Sequence, residues 1–190
     1  MKPVTHEGES FRNNAFFPAE ISNNEFYECV FKSCDFSNGI FNAGIFADCV
    51  FNACNFSMAK LFNCQMNNAS FKDSKLLGVN FSDCEDLPFA VGFEGCILDY
   101  CLFSRKKMAG TTFLNCSMKN VDFAEADLSK SIFSNTNLAN ATFHKTMLRE
   151  ANFATASNYI IDPEQNPMKK AIFSLHGVGG LLNKYDIVIE

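Results

Sequence analysis

The chain has no tryptophan, only three histidines and only five prolines. It also has no run long and apolar enough to span a bilayer as a helix, so a membrane role is not expected. The opening residues Met1 to His6 lack the apolar core of a secretory signal, and the expected compartment is the cytoplasm. His6, His144 and His176 lie at no ligand spacing from one another or from cysteine, which leaves little from which to build a metal centre. Charge of one sign is also scarce. Sixteen Lys and Arg against 21 Asp and Glu give a net charge of −5, and a slightly acidic surface argues against direct nucleic-acid binding. Gly177-Val178-Gly179-Gly180 lacks the Lys-Ser/Thr of a phosphate loop and reads as a flexible turn. No acid, base, nucleophile or metal set converges, so neither an enzyme, a cofactor nor a small-molecule substrate is expected.

Phenylalanine and cysteine are what the chain has in excess, with 22 and nine copies. Both are placed with a period of five. From Phe11 to Phe81 every fifth residue is apolar. The frame then slips by two residues and resumes from Phe93 to Phe153. These centres hold 18 of the 22 Phe. A period of five fits neither a helix nor a simple strand and marks an internal repeat. Each cysteine (Cys29, Cys34, Cys49, Cys54, Cys64, Cys84, Cys96, Cys101, Cys116) lies two places before a centre, Cys84 in the frame preceding the slip. A free thiol packs as a small hydrophobe, so the sulfurs are expected to line an interior. A metal site or thiol nucleophile would need clustering with His or an activating cation, and disulfides are less expected still in a reducing compartment.

Ala126-Asp127-Leu128-Ser129-Lys130, Thr136-Asn137-Leu138-Ala139-Asn140 and Ala151-Asn152-Phe153 resemble the A(D/N)LXX motif of the pentapeptide-repeat family. The resemblance implies an all-β, right-handed quadrilateral β-helix in which four fives make one square coil. Centres and the residues two before them then point inward. Four sides are also supported directly, because the centres from Phe93 onward alternate between Phe and Leu or Met. A four-sided coil sorts these into separate columns, one of them an unbroken line from Phe11 to Phe153. All four sides carry Phe between Phe26 and Phe56, and the small partners Gly39, Gly44 and Cys49 would offset that volume. The expected organisation is a leader over 1–8, a rod of about seven coils over 9–155, and a C-terminal cap and dimerisation segment over 156–190. In the cap, Asp162-Pro163 reads as a helix start, Lys170 to Ser174 as a strand, Leu181 to Tyr185 as a short helix and Ile187 to Ile189 as a last strand.

At the slip, Glu85-Asp86-Leu87-Pro88 adds two residues and a proline, which predicts a bulge. Lys106, one coil on, falls at an inward position. Either both charges turn out to water or Asp86 pairs with Lys106 across adjacent coils.

Some members of the family, including quinolone-resistance (Qnr) proteins and immunity proteins of gyrase-poison producers, act as DNA mimics that protect or inhibit gyrase. The resemblance therefore implies DNA gyrase or topoisomerase IV as partner, met by outward acids. The candidates are Glu20, Glu25, Glu28, Asp35 and Asp48 in the first stretch, and Asp73, Asp83, Glu85, Asp86, Glu94 and Asp99 in the second. The alternative is a structural or scaffolding rod with another partner. Leu181, Leu182, Tyr185, Ile187 and Ile189 offer more apolar surface than a cap requires, which predicts a homodimer through the C-terminus.

Overall fold

The computed structural model describes residues 2–188. Its backbone is a four-sided parallel solenoid of about eight turns. Register shows the four sides directly. Thr5 pairs with Glu25, Ser10 with Val30, Ala15 with Asp35 and Ile40 with Lys60, each partner twenty residues on. Across the slip the offset becomes 22, as in Lys75 with Ile97 and Asn80 with Leu102.

The interior is filled by the expected columns. Phe11, Phe31, Phe51 and Phe71 stack face to face at 4.8–4.9 Å. Phe93, Phe113, Phe133 and Phe153 continue the column, and the rings stay near parallel throughout. Rings on neighbouring sides meet edge to face, as Phe31 does Phe36 at 68°. Offset stacks and edge contacts are the two favoured aromatic geometries, so the square satisfies both at once. In the overfull layers a Cβ on Gly39 would lie 2.2 Å from the Phe41 ring, and one on Gly44 would lie 3.0 Å from the Ile21 carbonyl. The missing side chains make room for rings.

All nine cysteines are free and buried. Their thiols also have a polar task. Cys49 Sγ lies 3.3 Å from the Phe26 carbonyl one coil back, and Cys54 Sγ lies 3.4 Å from that of Phe31. Ser74, Ser131 and Thr136 make the same bond with a hydroxyl. Where the inward small residue is Cys, Ser or Thr it both fits the corner and donates a hydrogen bond, whereas at Ala126 or Val121 it only fits. Burial pushes the Cys49, Cys54 and Cys96 thiols up to about 12, and those of Cys64 and Cys116 to about 11. A thiol held protonated by burial is a weak nucleophile at neutral pH.

The corners follow one rule. The residue two after a centre has positive φ, as at Asn13 (54°), Asp48 (54°), Asn68 (52°) and Asn140 (59°), with Pro18, Asp83 and Thr155 as the exceptions. Asn and Asp tolerate that region better than most side chains. The residue before a centre often caps the turn: Asp35 accepts from the Ser37 N–H at 3.0 Å, and Asp127 from that of Ser129 at 2.9 Å. This bond explains the Asp or Asn of the motif.

Several expectations about the two ends need correction. The segment expected as a leader is already coil, because strand β1 (Thr5–Glu7) pairs with Glu25–Tyr27 and His6 stacks on Phe26 at 4.8 Å. The ladder also runs past 155. Ile172–Phe173 pairs with Asn152–Phe153, and Asn166, 1% exposed, takes the inward small position with its amide 3.2 Å from the Phe143 carbonyl. Coil at both ends makes the turns about eight rather than seven. Finally, Asp162 starts a turn rather than a helix, accepting from the Glu164 N–H at 2.9 Å. The expected last strand does not form at Ile187 and Val188, and Ile189 lies outside the described residues.

Candidate functional site

The repeat is broken most deeply at the slip, and the chain rebuilds itself there around one buried ammonium. A short 3-10 turn, Phe81–Asp83, leads into the bulge, which ends in a cis Leu87–Pro88 peptide bond. Phe89 returns to the interior opposite Met66, and the register slips between Phe89 and Val91. Lys106 takes a small residue's place and is 1% exposed. Its Nζ donates to the Cys84 carbonyl, to the Glu85 carbonyl at 3.2 Å and to Asp86 Oδ1 at 2.9 Å, and lies 4.8 Å from the centre of the Phe89 ring. The pair across adjacent coils therefore forms. Asp86 itself stays in water, with its side chain 68% exposed. An ammonium with three oxygen partners and an aromatic face is satisfied where a bare one would be expelled. The bulge is thus pinned from inside, with Leu87 projecting at 75% exposure.

Beside the bulge runs a groove of about 430 Å³ lined by Ser82, Asp86, Ser104, Arg105, Asp122 and Glu125. Asp122 accepts from Ser104 Oγ at 2.6 Å, and Arg105 Nε lies 3.5 Å from Glu125. The Ser82 hydroxyl is buried without a partner. Of the three candidates at the bulge, Asp83, Glu85 and Asp86, Asp86 lines this groove beside Asp122 and Glu125, and the other two do not. Asp122 and Glu125 were not singled out from the sequence, because only the coil places them next to the bulge.

The other candidate acids are dispersed. Glu20 sits in helix α1 (Pro18–Ile21) and accepts from the Phe17 N–H at 2.7 Å. Glu25 lies on the first side, within 3.3 Å of the Thr5 and Tyr27 hydroxyls. Glu28 and Asp48 occupy one corner in successive coils, where Asn68 donates to Asp48 at 2.7 Å. Asp35 caps its own turn on the third side, and Asp73 is a corner residue against Gly95. Glu94 pairs with Lys72 at 3.1 Å, and Asp99 accepts from Ser117 Oγ and the Lys119 N–H. Several of these carboxylates are therefore turn caps or paired charges.

At the C-terminal end Tyr159 closes the coil, 3% exposed and tilted over Phe153 and Phe173. The Gly-rich run is a packed 3-10 turn, Val178–Leu181, rather than a flexible loop. A Cβ on Gly180 would fall 2.1 Å from the Tyr159 carbonyl oxygen. Lys184 holds this cap with bonds to Asp162 (2.8 Å) and Glu164 (2.7 Å), and Tyr185 OH donates to Glu164. Leu181 packs on the core and Leu182 is half-buried, while Tyr185 and Ile187 are exposed. Among the described residues no helix is long and apolar enough to cross a membrane.

Four parallel sides, rings at each centre and Asp or Asn caps define a solenoid built from five-residue units. Residues 116–154 match the family model described as pentapeptide repeats, in eight copies, so that stretch carries the repeat of the pentapeptide-repeat family. No curated protein matches the chain in sequence. Among solved structures it is similar to HetL, a pentapeptide repeat protein involved in heterocyst differentiation regulation from the cyanobacterium Nostoc. The TM-score is 0.74 at 13% identity, covering 90% of this chain and 87% of that one. It is also similar to a trypsin-treated form of QnrB1, a plasmid-mediated fluoroquinolone resistance protein, with TM-score 0.55 at 14% identity over 97% of this chain and 99% of that one. At such identities the likeness concerns the fold.

Proposed function

We propose that the chain is a non-catalytic rod that binds a basic protein surface through the pinned bulge at mid-rod, with a type II topoisomerase as the partner. The observation that carries this is the buried Lys106, which holds Asp83 to Leu87 as a rigid projection beside an acidic groove. A projection fixed before binding loses little entropy on binding. The protonated thiols and the capped carboxylates supply surface and stability rather than reactivity. Likeness to a fluoroquinolone resistance protein supports the choice of partner to test first. Charge mimicry along the whole rod gains less support, because bases as well as acids stand on its sides: Arg12, Lys32, Asn52, Lys72 and Glu94 follow one another in one column.

The test is gyrase supercoiling with and without ciprofloxacin. The wild-type chain is expected to change activity or drug sensitivity, and Asp83→Lys with Glu85→Lys to abolish that change at unaltered melting temperature. No effect of the wild type over a wide concentration range leaves the scaffolding-rod reading in its place.

The C-terminal end supports a second contact, between two copies. Leu175 (86% exposed), Tyr185, Ile187 and Val188 form an apolar rim around the cap, and a two-fold contact would cover it. Light scattering should report a dimer at micromolar concentration and a monomer for Leu175→Glu; a wild-type monomer contradicts this contact.

A further inference from the structure

The opposite end of the rod presents a strand edge. Among the described residues, strands β1 and β2 (Ser10–Arg12) each have one neighbouring strand, so their outer edge is open there. The Val30 N–H donates to the Glu9 carbonyl one coil back at 2.9 Å. Ser10, its equivalent in the first described coil, has no acceptor for its N–H among the described residues. The ring columns stop in the same way. His6 lies on Phe26, Phe11 on Phe31 and Phe16 on Phe36 at 4.8–4.9 Å, and Phe11 and Phe16 are only partly buried because no ring covers their outer faces. Above them is a cavity of about 200 Å³ lined by His6, Phe11, Asn14, Phe16, Glu20 and Phe26. Val4 (52%) and Phe17 (70%) stand exposed at its rim.

The charge at this end is acidic. Glu7, Glu9 and Glu20 are exposed and Glu25 half-buried, against Lys2 and Arg12. A second copy meeting this end across a two-fold axis would bring like charges together, which disfavours it. An extended basic segment would find an open edge, a ring-sized gap one stacking distance above Phe11 and Phe16, and carboxylates at the rim.

We infer that the N-terminal end docks an extended segment of another protein that carries an aromatic side chain between basic residues. The segment adds as a further strand on β2. Its main chain meets the Ser10 N–H, its ring continues the stack, and its cations meet Glu9 and Glu20. This end is separate from the mid-rod bulge, so its test stands whatever the outcome with topoisomerase.

Because the chain has no tryptophan, a blocked Arg-Trp-Arg-Val peptide is a direct probe through its own emission. Titration with the full chain should shift that emission to the blue and saturate. Ser10→Pro removes the outward N–H while leaving the inward ladder, and should weaken binding by about tenfold or more, as should Glu20→Lys. Replacing the peptide's Trp-flanking Arg with Glu should abolish the shift, and Leu175→Glu at the far end should leave it unchanged. Circular dichroism and melting temperature confirm that each variant is folded. Absence of a shift up to millimolar peptide, or a shift indifferent to Ser10→Pro and Glu20→Lys, overturns the inference. So does light scattering in which these two variants lower the oligomeric mass, since the end would then be covered by a second copy.

Discussion

Lys106 shows how much one side chain can carry. It fills a position that elsewhere holds a smaller residue, most often Cys, Ser, Thr or Ala, and it turns a two-residue insertion into a fixed projection. Its partners differ in weight. Asp86 is largely in water, where the ion pair is screened and contributes under about 1 kcal/mol. The carbonyls of Cys84 and Glu85 have the ammonium as their donor inside the coil. Lys106→Met should therefore cost about 1–3 kcal/mol by leaving carbonyls unpaired, and Asp86→Ala clearly less. Urea denaturation of both variants checks the order; equal losses, or a larger one for Asp86→Ala, contradict it. The sequence placed Lys106 at an inward position, because a period of five fixes which residues face the core, but left open whether it pairs with Asp86 or both charges turn out to water. It could not show the carbonyls, since a bulge has no period from which to read backbone direction.

At the scale of the element, the coil is limited by volume on its overfull layers. Gly39 has no room for a Cβ beside Phe41. Gly39→Ala should destabilise by about 1–3 kcal/mol through overpacking, and adding Phe41→Leu should recover part of that loss. A double-mutant cycle measures the coupling; strict additivity would count against the packing account. The C-terminal cap is limited by charge instead. Lys184 holds the Asp162 and Glu164 carboxyls below their ordinary values, and they in turn hold its ammonium above its own. Carboxyls depressed in the folded state stabilise it above their ordinary range, and that contribution is lost as the pH falls through the depressed values. Protection from hydrogen exchange over 177–186, relative to the intrinsic rate at each pH, should fall on acidification below about pH 4, and Lys184→Met should remove most of that pH dependence. An unchanged profile in Lys184→Met contradicts the clamp.

The same scale shows what sequence could reveal. Wherever large side chains mark the centre, from Phe11 to Phe153, the coil was legible. It was not legible at the ends, where His6 replaces a Phe and Tyr159 takes over from an exposed Asn158, hiding the return of the frame at Asn166 and Phe173. The candidate acids were partly misleading for a related reason. In this fold Asp serves the backbone as a cap as readily as it serves a partner, and the two uses look alike in sequence.

For the whole molecule, the rod gains its length by repetition and its individuality from three interruptions: the open first coil, the bulge and the clamped cap. Each coil bonds only to its neighbours, so a local break can persist without unravelling the rest. The functional reading depends on the bulge being held rather than mobile. Hydrogen exchange across the full chain measures this most directly. The account predicts slow exchange at Cys84 and Glu85, whose N–H groups donate to the Phe81 and Cys64 carbonyls, at rates like those of the flanking ladder, and fast exchange there in Lys106→Met. Exchange at unfolded-chain rates over 84–87 in the wild-type protein would contradict it.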